Sequence, residues 1–87
     1  MATRQSVDNC LLNCNEALEV AQQQYTEASK QEHYNNSEYI QGQQLLQLAA
    51  NELQLMANSC NDQQREQLNR MKIQIEQMQY DMITLRH

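Results

Sequence analysis

By residue type and spacing, the side chains best suited to chemistry in this sequence are three cysteines, Cys10, Cys14 and Cys60. Cys10 and Cys14 stand four residues apart, one turn on one face of a helix. An antiparallel hairpin turning near residue 35 would set Cys60 opposite Cys10, so that three thiols meet at one end of the fold. Such a cluster suits a soft metal ion or a disulfide. The spacing matches no zinc pattern such as a CxxC pair, however, and a fourth ligand is missing. The histidines, His33 and His87, belong at the opposite end by the same geometry. Cysteine is also among the most buried residue types and packs as a small hydrophobe. Packing is the expected role, with a thiol-based redox or metal sensor using Cys10, Cys14 and Cys60 as the alternative.

Other chemistry is poorly represented. There is no glycine-rich phosphate loop, no nucleophile elbow and no HExxH pair. His33 and Tyr34 fall in a short polar turn near Glu32 and Glu38. Acid–base catalysis needs a cleft and a second positioned group, which such a turn seldom offers. Glu16 and Glu19 lie on the solvated face of the first helix. Met56, Met71, Met78 and Met82 could line an adaptable groove, but their spacing is that of a core. The expectation is a protein that is not an enzyme and needs no cofactor.

The elements that position these residues are helices. The chain has 87 residues, no proline, no Phe or Trp, and one glycine, Gly42. A β-fold needs turn punctuation and aromatic or β-branched strands; Leu, Gln, Glu, Ala and Met favour helix instead. Gln and Asn fill more than a quarter of the chain. They sit between regularly spaced apolar residues, as the uncharged outer faces of helices would. The size allows one domain, residues 1–87, with a modest core. A net charge of −5 repels nucleic acid and anionic membranes. The acidic excess lies before Cys60; afterwards Arg65, Arg70, Lys72 and Arg86 offset Asp62, Glu66, Glu76 and Asp81. No apolar run approaches a membrane span, and the N-terminus has no apolar signal region. The expected compartment is the cytoplasm, where the cysteines stay reduced.

Apolar spacing divides the chain into three helices, at about 6–32, 37–58 and 62–86. The first has a 4-3-4-3 seam through Val7, Leu11, Cys14, Leu18, Ala21, Tyr25 and Ala28, with Ser6 as its expected N-cap. A polar turn follows, in which Asn35 with Glu38, or Ser37, is the next cap. The second helix carries two stripes: Tyr39, Gly42, Leu46, Ala49, Leu53, Met56 and Cys60, and beside it Ile40, Leu45, Leu48 and Leu55. Two stripes call for two partners, so this helix is expected at the centre of the fold. Gly42 lies on the seam, where a second backbone would approach closely. Residues 58–62 form another soft point, where Asn61 and Gln64 have capping spacing. The third helix has a seam of Leu68, Met71, Ile75, Met78, Met82 and Leu85. Ile73, Tyr80 and Ile83 lie off it, either as flank contacts or as an interaction surface. The expected architecture is an all-α antiparallel three-helix bundle. The alternative joins the last two segments into one long arm of a dimerising hairpin.

The segments Met1–Val7 (MATRQSV), Gln31–Asn35 (QEHYN) and Gln63–Leu68 (QQREQL) together resemble the YtzC-like family of small Bacillus proteins. The resemblance covers nearly the whole chain at the same length. It implies a bacterial cytoplasmic protein with a domain of unknown function and brings no catalytic residues to carry over. A secretion-substrate hairpin with a Trp-x-Gly turn does not fit, because the chain has no Trp and Gly42 is wrongly spaced. The functional expectation is a small helical module that binds a protein partner or itself. Ile73, Tyr80 and Ile83, or Leu45, Leu48 and Leu55, are its candidate surface.

Overall fold

The computed structural model describes residues 3–31 and 37–85. Three helices account for nearly all of them: α1 (Arg4–Gln31), α2 (Ser37–Ala57) and α3 (Asp62–Thr84), with no strand among the described residues. Each helix packs against both others. The Cα envelope measures 44 × 17 × 14 Å, so the helices lie along one axis as a narrow three-helix bundle.

Side-chain neighbours fix the directions. On α1 and α2, Cys14 faces Ala49 and Ala21 faces Gly42. Moving up one helix moves down the other, so the pair is antiparallel. Tyr39 reaches Met82 and Gln47 reaches Gln79, so α2 and α3 are antiparallel too. It follows that α1 and α3 run parallel, and Arg4 accordingly shares a cleft with Asn61 and Gln64.

The helix ends have identifiable causes. α1 begins two residues before the expected start, because Thr3 rather than Ser6 is its cap. The Ser6 N–H donates to Thr3 Oγ1 (3.0 Å), and the Val7 N–H donates to the Thr3 carbonyl (3.1 Å). A hydroxyl one turn earlier serves the same orphan amides. The proposed cap at Asn35 and the placements of His33, Tyr34 and His87 lie outside the described residues. At the second soft point α2 stops at Ala57. The Ser59 N–H closes a tight turn on the Met56 carbonyl (3.1 Å), and a capping box opens α3. There the Gln64 N–H donates to Asn61 Oδ1 (2.9 Å) and the Asn61 N–H to Gln64 Oε1 (3.1 Å). The slip in the apolar stripe at residue 60 is therefore a turn, and the long-armed hairpin is ruled out.

The seams form the core. Val7, Cys14, Leu18, Ala21 and Ala28 of α1 are buried against Tyr39, Leu46, Ala49 and Leu53 of α2 and Leu68, Met71, Ile75, Met78 and Met82 of α3. The second stripe of α2 is a different matter. Ile40, Leu45, Leu48 and Leu55 are all exposed, so α2 is not a central helix needing two arcs. In a triangular bundle both neighbours approach within one apolar arc, and a single stripe serves both.

Gly42 is buried where α2 faces Ala21 of α1 and Met82 of α3. A Cβ placed on it would stand 3.5 Å from Ala21 Cα and 3.4 Å from Met82 Cε. Small residues on both helices, Ala17, Ala21 and Ala49 among them, let α1 and α2 approach along much of their length. At the end of the bundle the buried Tyr39 hydroxyl donates to the Met82 carbonyl, tying the first turn of α2 to the last turn of α3. That carbonyl lies among the terminal ones for which a helix has no partner of its own.

Candidate functional site

Cys10, Cys14 and Cys60 are the thiols that residue type and spacing single out. Cys10 and Cys14 point from α1 into the core and are buried, while Cys60 is buried in the turn before α3. The Cys14 thiol lies 4.0 Å from the Ala49 carbonyl, a weak contact for sulfur, and the Cys60 thiol donates to the Ala57 carbonyl at 3.4 Å. The expected meeting of three thiols does not occur. With Cys14 facing Ala49, Cys10 comes level with Leu53, whereas the Cys60 thiol folds back onto the Ala57 carbonyl at the end of α2. Four residues of helix separate Leu53 from Ala57, about 6 Å at 1.5 Å per residue. The expectation failed because α1 overhangs the start of α2, which shifts the hairpin register by one heptad.

Electrostatics also argue against thiol chemistry. Burial, reinforced by the neighbouring Cys14 and the Glu52 carboxylate, pushes the Cys10 thiol from its ordinary 9.0 up to about 12. Cys14 is raised as well, chiefly by burial; Glu52 adds to the effect and a hydrogen bond with Cys10 opposes it. The thiolate is both the nucleophile and the metal ligand, and this environment disfavours it. Among the described residues no three His, Cys, Asp or Glu side chains come together in a way that could hold a metal ion. The cysteines are thus placed as core side chains.

The bundle surface is less ordinary. On α3, Ile73, Tyr80 and Ile83 are 68%, 63% and 74% exposed, so they are not flank contacts of the bundle. Their spacing of seven and three keeps them on one outer face. On α2, Leu45, Leu48 and Leu55 form a comparable line. Leu12 and Val20 of α1, which are not among the candidates expected from the sequence, are also exposed. Both fall outside the 4-3 seam, and that departure was the available signal.

Shallow grooves run between neighbouring helices. The one between α1 and α2 has a volume of about 340 Å³ and is bounded by Val20, Leu45, Leu48, Glu16 and Glu52. A second of about 350 Å³, between α1 and α3, reaches Ile73 and Asp81. A wider, polar cleft of about 590 Å³ lies where α1 and α3 begin, between Arg4 and Arg70. None of these linings joins a thiol, hydroxyl or imidazole to a base, the pairing that nucleophilic catalysis requires. Among the described residues, no helix is long and apolar enough to cross a membrane.

Comparison with known proteins agrees with the resemblance seen in the sequence. A family model described as protein of unknown function (DUF2524) matches residues 1–84. The uncharacterized protein YtzC of Bacillus subtilis (strain 168) is 52% identical over 83 residues, which cover 95% of this chain and 92% of that relative. No solved structure matches.

Proposed function

The chain belongs to this family of unknown function (DUF2524), and we propose that it is a small non-enzymatic helical module that binds another protein. One observation carries the reading: large apolar side chains stand exposed in rows on the bundle. Single exposed apolar residues are normal on any soluble protein. Rows at helical spacing on a packed bundle are what a partner helix or surface can cover. The bacterial cytoplasm is the setting we propose, consistent with three cysteines that form no disulfide.

The test replaces both Ile73 and Ile83 by Ser. Because both side chains are exposed, helicity by circular dichroism should remain that of the parent. Affinity capture under reducing conditions should then lose a partner that the parent chain retains. Identical capture by parent and variant would remove this face from the proposal. Loss of helicity would mean that the two residues support the fold instead.

A further inference from the structure

We infer that the groove between α1 and α2 is a docking site for a basic amphipathic helix of another protein. This deepens, and rests on, the reading of the chain as an interaction module. The floor of the groove is Ala17 and Ala49, whose side chains end at Cβ, and its walls are Val20, Leu45 and Leu48. Those three wall residues are exposed. Short side chains flanked by longer ones leave dents of side-chain size, into which the i, i+3 and i+7 knobs of a helix fit. The three apolar residues therefore converge on one depression instead of being scattered over the surface.

Charge decides what kind of helix fits. Glu16 and Glu52 line the groove, and no basic residue does. α2 contains no Lys or Arg at all. In α1, Arg4 and Lys30 stand near the two ends, about 13 Å and 15 Å along the axis from Asn13 and Val20 of the lining. On α3, Arg65, Arg70 and Lys72 each pair with a carboxylate of their own helix. Glu16 and Glu52 consequently have no cationic partner among the described residues. A helix bearing Lys or Arg beside its apolar stripe would supply both charge and knobs. The α3 face of a second copy would not, because its cations are already paired. Nucleic acid and anionic bilayers are repelled by the same two carboxylates.

The test uses the full chain, isotope-labelled for NMR, and three synthetic peptides of about 18 residues, long enough for an apolar stripe of several turns. One is a Leu/Lys amphipathic helix, the second replaces its Lys by Glu, and the third scrambles the Leu/Lys sequence. The first should bind, with amide shifts centred on Ala17, Val20, Leu45, Leu48 and Ala49. The other two should bind at least about tenfold more weakly, since one lacks the charge and the other the stripe. Leu48→Ser should weaken the Leu/Lys peptide about tenfold through lost apolar contact. Glu16→Gln with Glu52→Gln should weaken it several-fold and flatten its salt dependence. Leu48 and Glu16 are exposed and Glu52 is half-buried, and circular dichroism verifies that each variant folds. Equal binding of the scrambled peptide would overturn the proposal, as nonspecific charge attraction. So would the absence of binding by the Leu/Lys helix. Shifts centred on Ile73, Tyr80 and Ile83 would also overturn the groove while leaving the interaction-module reading intact. That broader reading is tested separately, by whether the parent chain retains a partner in the capture experiment.

Discussion

At position 10 a thiol sits where a methyl group would also be at home. Its environment keeps it protonated, so iodoacetamide should modify Cys10 and Cys14 far more slowly in the native protein than in urea, as mass spectrometry of the labelled peptides would show. Equal rates in both conditions would contradict the burial. The same environment gives stability a pH dependence. Below 9.0 the Cys10 thiol is protonated whether the chain is folded or not. Above 9.0 the unfolded chain ionises first, while the folded chain keeps its proton to about 12, so stability falls as pH rises through that window. Cys14 and Tyr39 are displaced in the same direction, Tyr39 by burial first and Tyr25 second. Urea midpoints should therefore drop above pH 9.0, and Cys10→Ala should reduce the drop. Tyr39→Phe removes the donor to the Met82 carbonyl and should cost about 1 kcal/mol in urea unfolding. The sequence made the packing role of these cysteines legible from residue type. It did not reveal that Cys10 and Cys60 lie at different levels. Apolar spacing determines which face of a helix is buried, whereas axial register depends on how far α1 overhangs its turn.

The helices themselves were written in the spacing. Each 4-3 seam became a buried stripe, because a side chain every three or four residues keeps to one face. Capping was legible where side chain and backbone reciprocate, as at Asn61 and Gln64, and misplaced where two hydroxyls compete, as at Thr3 and Ser6. Asn61→Ala should destabilise the protein by about 1 kcal/mol, measured by urea unfolding, since one capping acceptor is lost. Gly42 gives the opposite sign. The space above it accepts a Cβ at ordinary contact distances, so Gly42→Ala should raise stability by up to about 1 kcal/mol through helix propensity. Gly42→Leu should lower stability, because a longer side chain must displace Ala21 or Met82. The outward stripe of α2 was the least legible feature. Leu48 and Leu55 are as apolar as Leu46 and Leu53, and periodicity alone cannot say which of two adjacent arcs the neighbours will occupy.

For the whole molecule, size is the governing constraint. A core of small and medium side chains in 87 residues leaves a margin of only a few kcal/mol. Ile75 is fully buried at its centre. Ile75→Ala should cost about 2–5 kcal/mol, enough to leave much of the protein unfolded at 37 °C, which a thermal melt followed by circular dichroism would detect. A melt unchanged from the parent would mean that the core tolerates a cavity there.

An odd number of antiparallel helices also sets how the bundle carries mechanical load. Thr3 lies at one end of a rod 44 Å long and Leu85 at the other. Tension applied between Thr3 and Leu85 runs along the helix axes and must shear the seams all at once. Tension applied between Thr3 and Cys60, which share one end, peels α1 from α2 a turn at a time. The same fold should therefore yield at a higher force in the first geometry than in the second, a difference that single-molecule pulling would measure.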